Sequence, residues 1–262
     1  MKWSAAKLKA LKGEQKISML TAYDALTASL VDDAGIPAIL VGDSLGMTVL
    51  GYETTLPVSM DEMLHHTKAV SRGTLNAMVI ADMPFMSYQP SLAMALENAG
   101  RFLKEAHADA VKIEGGLIRG PLIEALVKNG IPVLGHIGLT PQSVKEMGYK
   151  VQGKTSEQAR ELMDDAMAIE QAGAFAVVLE CVPPELGEMI SNALSIPTIG
   201  IGAGSGCDGQ VLVFTDVLGM SSKPVAKFVK KYAHLNGIIS EALTAYKNEV
   251  EEGTFPGDEH TY

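Results

Sequence analysis

The chain has 262 residues and a mass of 27.8 kDa; 47% of its residues are hydrophobic and 20% charged, a composition that buries a large core and excludes a disordered tail or low-complexity filament. Twenty-one Lys and Arg against 31 Asp and Glu leave a net charge of −10, which excludes the basic footprint of a nucleic-acid binder and points to a small-molecule partner. Two cysteines without CxxC spacing, Cys181 and Cys207, rule out a disulfide framework or structural zinc, and no apolar run of about 18 residues or export-signal core is present, so a cytoplasmic protein outside the membrane is expected.

From the N-terminus, MKWSAAKLKALKGEQK predicts a short helical extension around Trp3, Leu8 and Leu11, placed either under the main fold or against a neighbour. One phrase then recurs: a short β-branched apolar run ending at a polar residue or glycine, followed by a stretch of helical periodicity. The runs are KISML (16–20), PAILVG (37–42), AMVIA (77–81), AVKI (110–113), PVLG (132–135), AVVL (176–179), PTIGIG (197–202) and QVLVF (210–214). Apolar on both faces, they suit a parallel sheet covered by helices. Helices are predicted over 61–72, 91–107 and 156–172, with Ser91 and Ser156 as N-caps and Gly173 closing the last. No Pro/Gly/Ser-rich linker divides the chain. Eight strand–helix units predict a single (β/α)8 TIM barrel domain over residues 1–262, with an open doubly wound sheet as the alternative. The tail EEGTFPGDEHTY is polar and is expected to pack late or stay mobile.

In a barrel the strand ends converge on one mouth. Here they carry Asp43, Asp82, Glu114, His136 and Glu180. A single acid in such a place is ordinarily a turn former or N-cap. Four acids and a histidine from five strands form a charge cluster that calls for a cation, and oxygen donors without a Cys or multi-His set favour Mg2+ over zinc. Lys112 stands two residues before Glu114, on the same strand face. A buried ion pair filling the barrel explains it as well as a role on a substrate carboxylate or enolate does. Cys181 reads as a small core residue, His65 and His66 as helix-surface or packing residues, and GIGAG (200–204) as close packing as readily as a phosphate cradle.

Eight blocks in order resemble the ketopantoate hydroxymethyltransferase family: MLTAYD (19–24), VGDSLGM (41–47), ADMPFMSY (81–88), AVKIEGG (110–116), GHIGLTPQS (135–143), GYKVQGKT (148–155), LECVP (179–183) and IGIGAGSGCDGQVLV (199–213). The resemblance implies a (β/α)8 fold and transfer of a hydroxymethyl group from 5,10-methylenetetrahydrofolate to 3-methyl-2-oxobutanoate through a Mg2+-stabilised enolate. It implies that Asp43, Asp82 and Glu114 surround the metal, some through water, and that Ser44 and Lys112, with Asp43 and Asp82 beside them, bind the 2-oxo acid. The resemblance further implies that His136 lies near substrate or folate and that Glu180 is the proton-transfer residue. A homo-oligomer, a decamer of two five-membered rings, is also implied. Phe214-Thr215-Asp216 departs mildly from the resemblance, which implies a His before the Asp in many relatives.

The same residues admit two other readings. A Mg2+-dependent lyase or mutase of the phosphoenolpyruvate mutase and isocitrate lyase type shares the enolate chemistry, but its KKCGH-like lid string is absent. A non-catalytic barrel has no reason to keep so costly a cluster of charges.

Overall fold

The computed structural model describes residues 2–221 and 224–262, which divide into two compact units, Met1–Val213 and Phe214–Tyr262. The first holds β1 (Ile17–Thr21), β2 (Ala38–Val41), β3 (Met78–Asp82), β4 (Ala110–Glu114), β5 (Val133–Gly138), β6 (Ala176–Glu180), β7 (Thr198–Ile201) and β8 (Gly209–Leu212). All neighbours are parallel, and β8 pairs with β1, closing the barrel in sequence order. The (β/α)8 expectation is met and the open sheet is excluded.

The inside of the barrel is built by period-two alternation. On β3 the inward series is Met78, Ile80, Asp82; on β4 it is Ala110, Lys112, Glu114; on β5, Leu134 and His136; on β6, Ala176, Val178, Glu180. Each begins in the buried apolar cluster, which contains Met78, Ile80, Ala110, Leu134, Ala176 and Val178. Each ends in a charged or titratable side chain. The same strand is thus core below and site above.

Leu8, 2% exposed, joins that cluster from the short helix Ala5–Lys9, with Trp3, Ala5 and Leu11 packed against it. The N-terminal extension therefore closes the bottom of the barrel. Helices fall near the predicted spans, at Met60–Gly73, Leu92–Ala106 and Ser156–Gln171. Ser91 caps as predicted, but Ser156 does not. Thr155 takes the cap and pairs with Gln158 in a reciprocal box, because the Gln three residues on selects Thr155 over its neighbour. The eighth strand starts at Gly209 and stops at Leu212, earlier than predicted, and Phe214 opens a helical turn instead. Gly204, at φ +83°, lies where a Cβ would meet Pro184 at 2.7 Å, so tight packing accounts for that GIGAG glycine.

The second unit comprises the turn Phe214–Val217, the helix Leu235–Glu252 and a 3-10 turn at Asp258–His260. Within it the tail folds back on itself, with the Phe255 ring 5.7 Å from Tyr246 and 5.2 Å from His260.

Candidate active site

Register places the charges. Asp82 pairs with Lys112 across β3 and β4, and Glu114 pairs with His136 across β4 and β5. Lys112 Nζ lies 2.9 Å from Asp82 Oδ1 and 3.5 Å from Glu114 Oε1. Both acids and the lysine are nearly sealed from solvent, at 2–4% side-chain exposure. Asp43 arrives from the loop after β2 and is also buried; its backbone N–H donates to Asp82 Oδ2 at 3.2 Å. Ser44, beside it, shares a 2.9 Å hydrogen bond with the Tyr23 hydroxyl.

The electrostatics follow from burial. Burial, Asp82 and Glu114 together push the Asp43 carboxyl well above the usual carboxylate range. Burial also lifts Asp82, with Lys112 opposing and Glu114 reinforcing. For Glu114, burial is outweighed by opposing influences of which the Lys112 ammonium is the largest, and its pKa falls. Lys112 is driven up by Asp82, Glu114 and Asp43 against burial, so it is charged at neutral pH.

His136 Nε2 lies 3.2 Å from Glu180 Oε2, and its Nδ1 is 3.0 Å from Lys112 Nζ. Burial and Lys112 disfavour an imidazolium, while Glu114 and Glu180 draw the pKa up to about 9. An ammonium 3.0 Å from Nδ1 nevertheless requires that nitrogen to accept, so the contact geometry fits the neutral ring with its hydrogen on Nε2. Glu180 is the most accessible of the carboxylates in these ion pairs, at 16% side-chain exposure against 2–3% for Asp82 and Glu114. The next residue, Cys181, takes a left-handed φ of +48°, and Gly138 on β5 is so close that a Cβ there would strike the Glu180 carbonyl.

Six predicted residues therefore meet in one mouth: Asp43, Asp82, Lys112, Glu114, His136 and Glu180. Ser44 stands beside Asp43. Among the described residues no group of three His, Cys, Asp or Glu is gathered as a ready metal cage. Lys112 stands between Asp82 and Glu114, which leaves Asp43 and Asp82 as the adjacent acid pair. That pair suits a hard divalent cation: its donors are all oxygen, and a cation would remove the repulsion and burial penalty on Asp43.

Sequence reasoning assigned no role to Gln142 or Tyr23. Gln142 Nε2 donates to Asp43 Oδ2 at 3.0 Å, and Tyr23 reaches Ser44 from the end of β1. Both lie in blocks that resemble the family, GHIGLTPQS and MLTAYD; Tyr23, two residues past the end of β1, had its place at a strand end as a signal, while Gln142, four residues past β5, had none. His66 packs, its Nδ1 2.6 Å from the Tyr23 carbonyl, and His65 is exposed. A separate cavity of about 240 Å3 lies beside the ends of β4 and β5, lined by Gly115, Gly116, Gly138, Thr140, Gln152 and Asp165 among others, and none of the clustered charges borders it.

The family model for ketopantoate hydroxymethyltransferase matches residues 2–258. A 3-methyl-2-oxobutanoate hydroxymethyltransferase of Enterococcus faecalis is 59% identical over 249 residues, 95% of this chain and 90% of that protein. Its counterpart in Syntrophus aciditrophicus is 60% identical over 252 residues, 96% and 92% of the two chains. Among solved structures, phosphoenolpyruvate phosphomutase from Streptomyces platensis subsp. rosaceus aligns with a TM-score of 0.63 at 17% identity, covering 99% of this chain and 92% of its own. A 2,3-dimethylmalate lyase aligns with a TM-score of 0.63 at 18% identity over 100% and 89%. At such identities these structures share the fold alone.

Proposed function

This chain belongs to the ketopantoate hydroxymethyltransferase family and is a hydroxymethyltransferase, and on that premise we propose that it carries a one-carbon unit from 5,10-methylenetetrahydrofolate to 3-methyl-2-oxobutanoate, giving 2-dehydropantoate for pantothenate synthesis. The observation that carries this reading is one buried mouth combining an acid pair, Asp43 and Asp82, a charged Lys112 and a more accessible Glu180.

Asp43 and Asp82 would hold Mg2+, with Glu114 acting through water, as suits an ion that dehydrates reluctantly. When bound, Mg2+ polarises the substrate's keto group and so acidifies the neighbouring C–H. Lys112 meets the substrate carboxylate or the negative charge growing on oxygen, and Ser44 adds a hydroxyl on the same side. Glu180 removes the proton from the carbon next to the keto group, with His136 Nε2 at 3.2 Å from its carboxylate. That carbon forms its bond to the one-carbon unit, one water supplies the hydroxyl oxygen, and tetrahydrofolate leaves.

The reading extends to a homo-oligomer, decameric by the family resemblance, in the cytoplasm. Support for assembly comes from the helix Leu235–Glu252, where Ile239, Leu243, Tyr246 and Val250 recur at helical spacing and are all exposed. Two free thiols suit a reducing compartment.

Proton NMR of 3-methyl-2-oxobutanoate in D2O tests the proton step. Loss of the signal beside the keto group, only with Mg2+ added and without folate, is the expected result; no exchange, and no 2-dehydropantoate once methylenetetrahydrofolate is supplied, overturns the assignment.

A further inference from the structure

Gln142 touches two of the mouth's acids at once. It lies in the 3-10 turn Pro141–Ser143 after β5 and is 5% exposed. Its backbone N–H donates to Glu114 Oε2 at 3.0 Å. Its Nε2 donates to Asp43 Oδ2 at 3.0 Å and to the Met83 carbonyl at 2.9 Å. Its Oε1 accepts from the Tyr88 hydroxyl at 2.7 Å and from Gln89 Nε2 at 3.3 Å. Both amide hydrogens and both lone pairs are therefore in use. A flipped amide would set its oxygen against Asp43 Oδ2 and the Met83 carbonyl, and its NH2 against that of Gln89. The orientation has one satisfied solution.

We propose that Gln142 is the positioning residue of the cation site, committing one oxygen of Asp43 and one of Glu114 to itself so that the other oxygen of each is presented in a fixed direction. Asp43 Oδ2 and Glu114 Oε2 are the committed atoms. Glu114 Oε1 is then left facing Lys112 and His136, each at 3.5 Å, and Asp43 Oδ1 is left for the ion beside Asp82. A carboxylate with both oxygens unrestrained rotates about its last bond, and a cation must pay the entropy of stopping that rotation. Tyr88 is part of the device: buried at 3% exposure, its hydroxyl locks the amide from behind. Outer partners of this kind set ligand direction in metal sites and are worth roughly 10–100-fold in metal affinity.

The inference rests on the reading of Asp43 and Asp82 as cation ligands. Its test is Mn2+ binding, followed by EPR in the presence of 3-methyl-2-oxobutanoate, in wild type, Gln142→Met and Tyr88→Phe, with urea stability measured alongside. Gln142→Met keeps the length and removes every side-chain hydrogen bond, and is expected to weaken Mn2+ binding about 10–100-fold. Tyr88→Phe leaves the Asp43 contact but unlocks the amide, and is expected to weaken binding by a smaller factor in the same direction. A structural role alone would lower stability and leave the Mn2+ dissociation constant of the folded protein unchanged; that result overturns the proposal. Should Gln142→Met fail to fold, Tyr88→Phe decides by itself, and wild-type Mn2+ affinity in it overturns the proposal. Wild-type protein that binds no Mn2+ overturns the cation reading itself, and this inference falls with it.

Discussion

Lys112 Nζ lies 2.9 Å from Asp82 Oδ1, and the contact is set by register, since the two residues are paired neighbours on β3 and β4. Lys112 is the ammonium set among three buried acids, Asp43, Asp82 and Glu114. Removing one partner of a buried ion pair leaves an uncompensated charge, which costs roughly 3–5 kcal/mol. Lys112→Met is therefore expected to lower stability by about that amount in urea denaturation. Added Mg2+ is expected to restore part of the loss, because it supplies positive charge to the same acids. A variant as stable as wild type without metal would show that the acids are protonated rather than paired.

Glu180→Gln separates proton removal from binding. The amide keeps the shape and can still meet His136, but it cannot accept a proton. Loss of a general base typically costs 10²- to 10⁴-fold, so exchange of the substrate proton in D2O is expected to fall by about that factor. Mn2+ and 2-oxo acid binding are expected to stay near wild type in the same samples. Exchange at the wild-type rate would assign the base to another residue.

The barrel was legible because its strands are apolar on both faces and end abruptly in polar residues. Asp82, Lys112, Glu114, His136 and Glu180 were legible for the same reason, being the inward positions next after the apolar series Met78–Ile80, Ala110, Leu134 and Ala176–Val178. Gln142 carried no such signal. Its contacts run from the loop after β5 back to Asp43, Met83 and Tyr88, three segments brought together only by closure of the barrel. Thr155 against Ser156 failed at shorter range, since both residue types cap helices and only the Gln158 side chain distinguishes them. The end of β8 was overrun because Phe214 continues the apolar pattern of QVLVF, and periodicity does not register the turn that begins there.

Cys181, the residue after Glu180, sits in an uncommon backbone state. Its φ of +48° lies in the left-handed region, which costs a non-glycine residue about 1–2 kcal/mol. Its neighbours hold it there: Cys181 N–H donates to the Ile201 carbonyl at 2.9 Å, and Gln152 N–H to the Cys181 carbonyl at 2.9 Å. Cys181→Gly is expected to fold with stability within about 1 kcal/mol of wild type, relief of strain offsetting the greater freedom of the unfolded chain. Cys181→Val, branched at Cβ, is expected to lose about 1–2 kcal/mol and to slow proton exchange, because the chain turns away and carries Glu180 from His136. Equal behaviour of the two variants in thermal melts and in exchange would separate the turn from the site.

Asp32 lies outside the mouth and ties the loop before β3 to the helix Ala25–Asp33. Its carboxylate, 6% exposed, accepts from the backbone N–H of Leu75 at 3.1 Å, Asn76 at 3.0 Å and Ala77 at 2.5 Å. Burial works against the charge, but the hydrogen bonds from Ala77, Leu75 and Asn76 outweigh it and hold the pKa below its ordinary value. A depressed folded-state pKa means that the stabilisation is present above the unfolded value of about 3.9 and is lost as pH falls through the folded value. Asp32→Asn replaces an acceptor by an NH2 facing those donors and is expected to cost about 1–3 kcal/mol at pH 7. Below pH 4 wild type loses its advantage while the variant has none to lose, so the gap is expected to narrow. Urea denaturation of both proteins from pH 7 to pH 3 measures it, and a gap that stays constant would mean that the Asp32 carboxylate is not what the loop binds.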